Sequence, residues 1–182
     1  MREKIGILWG RLTGQGIRVT ALWALDHLVR IVTGAPIRSV SEITPQLHVG
    51  GQYRRRGWGR LRERGVTAVV NMRREFEDEA AGLAPKRYLH LPTVDDYPPS
   101  LEDLCRGVEF VRREMERGGG VYIHCGAGVG RAPAMAAAYL VSTGLSPEEA
   151  WARIRQVRPF VRPKPAQIAQ IRRFADGPCV KD

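Results

Sequence analysis

The stretch Val121-Tyr-Ile-His-Cys-Gly-Ala-Gly-Val-Gly-Arg131 decides the fold, because it joins a strand pattern to a helix pattern through a glycine-rich turn. Its first three residues are apolar and either β-branched or aromatic, which is typical of a buried strand. The segment that follows, residues 132–140, has the composition of a helix with a proline in its first turn. The turn between them is therefore predicted to lie at a helix N-terminus.

This turn has the features of a phosphate-binding loop. Free backbone N–H groups at a helix N-terminus attract anions, and glycines let the backbone curl closely around one. The same surroundings favour the thiolate form of Cys125, while the guanidinium of Arg131 can hold two oxygens at once. A flexible turn beside a small buried cysteine is the alternative, but it explains the three glycines less well. The predicted phosphate-binding residues are Gly126, Ala127, Gly128, Val129, Gly130 and Arg131.

The pattern His-Cys-x-x-Gly-x-x-Arg, which begins at His124, resembles the signature of the cysteine-dependent protein tyrosine phosphatases. The surroundings are similar to the compact dual-specificity phosphatases over roughly residues 38–176. Three further segments resemble the mitochondrial-type phosphatases that act on phosphatidylglycerophosphate: Thr93-Val-Asp95, Ser146-Pro-Glu-Glu-Ala150 and, in part, Arg73-Arg-Glu-Phe-Glu77. The resemblance implies an α/β phosphatase fold with Cys125 as nucleophile.

A phosphatase of this kind also needs a proton donor for the leaving group. The segment Leu91-Pro-Thr-Val-Asp-Asp-Tyr-Pro-Pro-Ser100 follows a predicted strand, and its prolines and aspartates indicate a loop. In the resembling family the acid is an aspartate on this loop, often with a proline four residues later. Asp95 and Pro99 have that spacing, so Asp95 is the preferred acid and Asp96 its competitor. Ser100 is predicted to cap the next helix, so neither aspartate is needed for capping.

The predicted reaction has two steps and uses no metal or other cofactor. Cys125 attacks phosphorus while Asp95 protonates the leaving oxygen, and water activated by the Asp95 carboxylate then hydrolyses the phosphocysteine. Backbone amides and Arg131 stabilise the phosphoryl oxygens in both steps.

Ala132 departs from the resembling family, in which a serine or threonine follows the arginine and helps the sulfur to leave. We therefore expect slower breakdown of the phosphoenzyme. Gln167 is a candidate for positioning the hydrolytic water, although an exposed residue in the first turn of the last helix is the preferred interpretation. His124 either orients the loop through a backbone hydrogen bond, as the resemblance implies, or is simply a core residue.

Length and composition predict one folded domain, since 182 residues with 43% hydrophobic content can form a sizeable core. Strand and helix patterns alternate, which predicts an α/β fold with a central four- to five-stranded mixed sheet flanked by helices. The predicted strands cover residues 46–49, 66–71, 87–91 and 121–124. We place an N-terminal extension at residues 1–37, the phosphatase domain at 38–176 and a tail at 177–182.

The three cysteines are unevenly spaced and do not suggest a disulfide framework, which favours a reducing, cytoplasmic location. Cys105 is expected to face the core of its helix, and Cys179 is expected to be an unpaired thiol in the tail. The four histidines show no metal-ligand spacing, so we expect no bound metal.

The N-terminal extension is predicted to contain an amphipathic helix whose apolar run is too short to span a membrane. The favoured interpretation is a helix packed against the domain. The alternative is a helix lying on an anionic membrane surface, with Trp9 and Trp23 at the interface. A cleaved transit peptide shares the same arginine-rich composition. The apolar face comprises Ile17, Ala21, Leu22, Leu25, Leu28, Val29 and Val32.

Charge favours anionic partners, because 29 basic and 19 acidic residues give a net charge of +10. No nucleic-acid-binding motif accompanies this charge, so nucleic acid is not an expected partner. The preferred function is a dual-specificity protein phosphatase, and a phospholipid phosphatase is the alternative. An impaired phosphate-binding module, suggested by Ala132, and another thiol enzyme, such as a sulfurtransferase or arsenate reductase, remain open. The oligomeric state is not predicted.

Overall fold

The computed structural model describes residues 2–177 and residue 179 of the chain. The strands in this part are β1 (Leu47–Gly51), β2 (Val66–Arg73), β3 (Arg87–Thr93) and β4 (Gly120–Cys125). The α-helices are α1 (Arg2–Gln15), α2 (Ile17–Thr33), α3 (Trp58–Glu63), α4 (Leu101–Glu116), α5 (Arg131–Ser142), α6 (Pro147–Val157) and α7 (Pro165–Ala175). The short helix α3 is an element that the sequence patterns did not reveal.

The four strands form one sheet in the order β1-β4-β2-β3. The α/β class is confirmed, but all three strand pairings are parallel rather than mixed. Every residue of β4 is buried, as expected for a strand with neighbours on both sides and helices on both faces. Parallel strands all end at the same edge of a sheet, so β4 delivers Cys125 to the edge where α/β proteins bind their ligands.

The helix α5 packs against this sheet among α4, α6 and α7. Its alanine-rich sequence presents little side-chain bulk, and almost the whole helix is buried. The predicted cap at Ser100 is confirmed, since its side chain accepts a hydrogen bond from the amide of Asp103 at 3.0 Å. At the start of α6, Ser146 forms a capping box with Glu149. These caps fix where α4 and α6 begin.

The cysteine prediction is wrong, because Cys105 and Cys179 form a disulfide. Cys105 packs at the edge of the main core, as its position in the helical pattern suggested, but its sulfur is bonded to the segment that follows α7. The two cysteines lie 74 residues apart, so the bond links distant parts of the chain. Pattern analysis failed here because a single pair of distant cysteines leaves no local signal. The cytoplasmic location, inferred partly from unpaired cysteines, stays a prediction.

The N-terminal helix α2 packs against the domain, as favoured, but through its polar side. Asp26 and Arg30 are buried, whereas the apolar residues Ile17, Leu28 and Val32 are 75%, 57% and 62% exposed. Trp23 is partly buried, and Cζ of the Arg11 guanidinium lies 4.3 Å from the centroid of its ring. The side chain of Trp9 lies outside the described part. No helix among the described residues is long and apolar enough to cross a bilayer.

Candidate active site

The signature loop, residues 125–131, connects β4 to α5, and four of its carbonyl groups bind partners outside the loop. The carbonyl oxygen of Gly126 accepts a hydrogen bond from the amide of Gln52, and that of Val129 accepts one from the amide of Arg162. The two carbonyls between them, of Ala127 and Gly128, accept hydrogen bonds from the guanidinium of Arg158. In a planar trans peptide the N–H points opposite to the carbonyl. The amides of residues 127–130 therefore face the other side and form the predicted anion cradle.

Cys125 lies at the base of this cradle. Its side chain is almost fully buried, and the amide of Gly128 donates a hydrogen bond to its Sγ at 3.3 Å. Gly128 has a φ of +70°, and a Cβ at this position would lie 2.3 Å from the backbone of Gly50. Only glycine therefore fits, and the amide that contacts the sulfur depends on it.

The guanidinium of Arg131 is buried beside the cradle. Its Nη1 and Nη2 donate to the two carboxylate oxygens of Glu75 at 2.8 and 2.9 Å, and Nη1 also donates to the carbonyl of Thr93. Nε is buried without a hydrogen-bond partner among the described residues. The Glu75 pair occupies the Nη1/Nη2 edge, so the Nε/Nη2 edge remains for a phosphoryl group.

The ion pair of Glu75 with Arg131 shifts the pKa of both groups in the direction that favours their charged forms. The hydrogen bond from Arg131 lowers the pKa of Glu75 from its ordinary value of 4.5 to about 2, against the opposing effect of burial. Burial by itself would lower the pKa of Arg131, but the hydrogen bond to Glu75 and the charges of Cys125 and Asp95 together raise it. Both groups are therefore charged at neutral pH. Glu75 belongs to the partial acidic-aromatic motif of the sequence, but its contact with Arg131 could not be read from that motif.

The two candidate acids, Asp95 and Asp96, have different partners in the structure. The Oδ1 of Asp95 lies 3.0 Å from Nη2 of Arg131, and its side chain is 78% exposed. Asp96 has a left-handed backbone, with a φ of +63°, and its carboxylate pairs with Nζ of Lys164 at 3.0 Å. Asp95 thus lies at the edge of Arg131 that remains for phosphate, and Asp96 points towards α7.

Gln167 is buried, so the preferred interpretation of an exposed residue is wrong. Its Nε2 donates to the carbonyl of Tyr97 at 3.0 Å, and its Oε1 accepts from the amide of Lys164. A Cβ on Gly130 would lie 3.0 Å from this Oε1, so the amide group contacts the signature loop. Gln170, one turn on, donates to the carbonyl of Pro99. Helix α7 therefore holds the segment that carries the candidate acid, and a role for Gln167 in positioning water stays a prediction.

His124 is a fully buried residue whose Nε2 lies 2.7 Å from Oδ2 of Asp78. Asp78 is itself buried and accepts a hydrogen bond from the side chain of Gln52, whose backbone amide binds the carbonyl of Gly126. The partner of His124 is therefore a carboxylate and not the backbone. Asp78 was missed because nothing in its local sequence distinguishes it from the neighbouring acidic residues.

Arg158 is another buried arginine, and the sequence analysis did not assign it to the site. Besides the carbonyls of Ala127 and Gly128, it binds the carbonyl of Val40 and the carboxylate of Asp26, with Nη2 and Oδ2 3.3 Å apart. Burial lowers the pKa of Arg158, while the charge of Asp26 opposes this effect. A residue of α2 thus supports the signature loop through one intermediate side chain.

Replacing Glu75 by glutamine is expected to lower kcat/KM for an aryl phosphate about tenfold, because Arg131 loses a charge-assisted partner that fixes its orientation. Glu77→Gln, two residues away and exposed, is the matched control. Because the pKa of Glu75 is depressed, its stabilising effect is present above the ordinary pKa and is lost as the pH falls towards 2. The free energies of unfolding of the wild type and Glu75→Gln should therefore differ at pH 6 and converge near pH 2. An unchanged kcat/KM would show that Arg131 is oriented without Glu75.

The site has the geometry of a cysteine-dependent phosphatase, and comparison with known proteins agrees. The family model described as "Polymorphic toxin system, DSP-PTPase phosphatase" matches residues 50–145, which is more than half of the chain. The chain belongs to this family. The matched region of this DSP-PTPase member includes the end of β1, the strands β2 to β4, the candidate acid, the signature loop and α5.

Individual relatives include phosphatases named for lipids and for proteins. The phosphatidylglycerophosphate phosphatase PTPMT1 of Arabidopsis thaliana is 35% identical over 107 residues, or 56% of this chain and 32% of that protein. The dual specificity protein phosphatase 12 of Mus musculus is 35% identical over 133 residues, 70% of this chain and 39% of that protein. The chain thus matches only a third or so of the length of these relatives. A crystal structure of PTPMT1 in complex with PI(5)P superposes with a TM-score of 0.68 and 29% identity, over 74% of this chain and 92% of the other.

Ala132 is the position where this DSP-PTPase member departs from the residue pattern, and its side chain is fully buried. Ala132→Ser is expected to add a hydroxyl donor near Sγ of Cys125 and to raise kcat about two- to tenfold, with little change in kcat/KM. The wild-type chain should show a burst of released phenol whose amplitude falls in the variant. Ala136→Ser makes the same change one turn further along α5. A burst that is absent in the wild type, or equal in all three proteins, would contradict slow breakdown of the phosphoenzyme.

Proposed function

We propose that the chain hydrolyses phosphomonoesters through a phosphocysteine on Cys125. The sulfur attacks phosphorus, the bond from phosphorus to the leaving oxygen breaks, and Asp95 supplies the proton that this oxygen needs. The observation that carries the proposal is the unpaired Nε of Arg131, at the edge beside Asp95, together with the inward-facing amides and a buried thiol. These groups together match the oxygens of a phosphoryl group.

The second step returns the enzyme to its starting state. Water attacks the phosphocysteine, the carboxylate of Asp95 takes its proton, and inorganic phosphate and the Cys125 thiolate are released. Gln167 lies where its amide group can help to position this water, since it contacts both Gly130 and the carbonyl of Tyr97. The proposed steps require no metal ion.

We propose a phospholipid with a terminal phosphomonoester as the substrate class. An open cavity of about 550 Å³ adjoins the signature loop through Gln52, which lines the cavity and binds the carbonyl of Gly126. A lipid of the phosphatidylglycerophosphate type carries a phosphodiester beside the phosphate that is removed. The arginines of the cavity offer positive charge to this phosphodiester. The remaining lining residues are Arg30, Tyr53, Arg54, Arg55, Arg56, Phe76 and Leu83. The similarity to the phosphatidylglycerophosphate phosphatase PTPMT1 supports this choice.

A phosphoprotein is the second candidate substrate, which the sequence alone favoured. The similarity to a dual specificity protein phosphatase supports it.

The test compares phosphate release from phosphatidylglycerophosphate in detergent micelles, from phosphotyrosine and phosphoserine peptides, and from an aryl phosphate. We expect the lipid to have the highest kcat/KM. Arg54→Gln should lower kcat/KM for the lipid about tenfold and leave the aryl phosphate unaffected. Arg62→Gln is the matched control on α3, outside this cavity. Faster hydrolysis of the peptides would favour the protein substrate, and no hydrolysis of any of the three would overturn the proposal.

A further inference from the structure

The helix α2 is docked with its polar side inwards, which leaves an apolar surface on the outside of the protein. We call this surface the α2 apolar face. Its residues recur at helical spacing over about 22 Å, given a rise of 1.5 Å per residue. They are Ile17, Ala21, Ala24, Leu25, Leu28, Ile31 and Val32, and all of them are exposed.

Contacts on the opposite side prevent α2 from turning this face inwards. The carboxylate of Asp26 binds Arg158 and the amide of Ile37, and Arg30 donates to the carbonyl of Gln52. Rotating α2 would leave Arg158 buried without its counter-charge, which is costly. The contacts that fix the orientation of α2 therefore also keep its apolar face exposed.

The charges around this face indicate what covers it. Asp26, the only acidic residue of α2, is buried on the other side. Arg18 is exposed at the flank of α2, and the guanidinium groups of Arg56 and Arg60 bind the carbonyls of Ile31 and Thr33 at its C-terminal end. An apolar strip with arginines beside it and no exposed acidic side chain on the helix is complementary to an anionic lipid surface.

We propose that the α2 apolar face lies on an anionic bilayer, with its leucine, isoleucine and valine side chains among the acyl chains. This inference rests on the proposed function and adds to it a means of bringing the lipid substrate to the site. Arg30 of α2 and Arg56, which binds the carbonyl of Ile31, both line the cavity beside the signature loop. A bilayer at α2 would bring lipid headgroups close to that cavity. The buried pair of Asp26 with Arg158 then joins the membrane-facing helix to the signature loop through the side chain of Arg158.

The test is flotation of the full chain with vesicles of phosphatidylglycerol and phosphatidylcholine, and with vesicles of phosphatidylcholine alone. We expect binding to the anionic vesicles that weakens as salt is added, because exposed charges are screened. Leu25→Glu and Leu28→Glu should each weaken this binding about ten- to hundredfold, the effect expected for keeping one leucine out of an apolar phase. Leu101→Glu changes an exposed leucine at the start of α4 and serves as the matched control. All variants should keep their aryl phosphatase activity, which shows that they fold.

Equal vesicle binding by the wild type, Leu25→Glu and Leu28→Glu would overturn the inference. So would a dimer of the wild type that Leu28→Glu converts to a monomer in the absence of vesicle binding, since the face would then contact a second copy. Vesicle binding that depends on α2, combined with no hydrolysis of phospholipid, would leave this inference standing and refute the proposed substrate.

Discussion

Replacing Cys125 by serine is expected to abolish hydrolysis of an aryl phosphate, with a loss of at least about 10⁴-fold in kcat. A serine hydroxyl is a far weaker nucleophile than a thiolate, and among the described residues no carboxylate or imidazole hydrogen-bonds to the side chain of Cys125. Among the described residues, the amide of Gly128 donates a hydrogen bond to the sulfur, and the inward-facing amides and Arg131 would surround a bound phosphoryl group. These groups remain in the variant, so it should still bind a phosphate-like anion although it no longer catalyses hydrolysis.

Tungstate provides the control for Cys125→Ser, because the anion cradle consists of backbone amides and one guanidinium. The variant should still be stabilised against thermal unfolding by tungstate, which shows that the signature loop has kept its shape. Residual turnover within about tenfold of the wild type would mean that Cys125 is not the nucleophile. A folded variant that has lost both turnover and tungstate binding would instead assign Cys125 a structural role in the loop.

Local patterns predicted the elements that carry the site. The apolar run before Cys125, the glycines after it and the caps at Ser100 and Ser146 each act within a few residues, and the structure has the strand, loop and helices at those positions. Helix α7 begins at Pro165, a proline in the first turn that is another signal of this local kind. Short-range geometry is sufficient for such features because their hydrogen bonds join neighbours in the chain.

The residues that surround the site could not be predicted in the same way. Glu75 and Arg131 are 56 positions apart, and Asp26 and Arg158 are 132 positions apart. One acidic residue among 19 has no local mark that identifies it as the partner of a particular arginine. Only the packing of β2 beside β4, and of α2 near the end of α6, brings these pairs together.

Amphipathic patterns gave the position of α2 but not its orientation. The usual assumption directs the apolar face of a helix into the core. In this chain the charge pair of Asp26 with Arg158 and the hydrogen bond from Arg30 to Gln52 direct the polar side inwards instead. A similar reason applies to Gln167, whose burial depends on the contact of α7 with the segment around Tyr97. In both cases a tertiary polar contact determines which side of the helix is buried.

Asp95→Asn is expected to lower kcat/KM for an alkyl phosphate about 10²- to 10⁴-fold, the usual contribution of a positioned general acid. Its Oδ1 lies 3.0 Å from Nη2 of Arg131, at the edge that we propose for a phosphoryl oxygen, and from there it could reach a leaving oxygen. An aryl phosphate with a good leaving group needs little protonation, so its kcat/KM should fall far less. The ratio kcat/KM is the appropriate measure, because it reports the steps up to phosphocysteine formation and excludes the later hydrolysis.

Asp96→Asn is the matched control, since it makes the same chemical change in the adjacent residue. Asp96 is held by Lys164 and directed towards α7, so its replacement should leave kcat/KM for both phosphates nearly unchanged. The alkaline fall of kcat/KM, which reports loss of the acid's proton, should disappear only in Asp95→Asn. Equal losses for good and poor leaving groups would contradict the assignment of Asp95. A leaving-group effect seen in Asp96→Asn instead would mean that the loop rearranges when substrate binds and exchanges the positions of the two carboxylates.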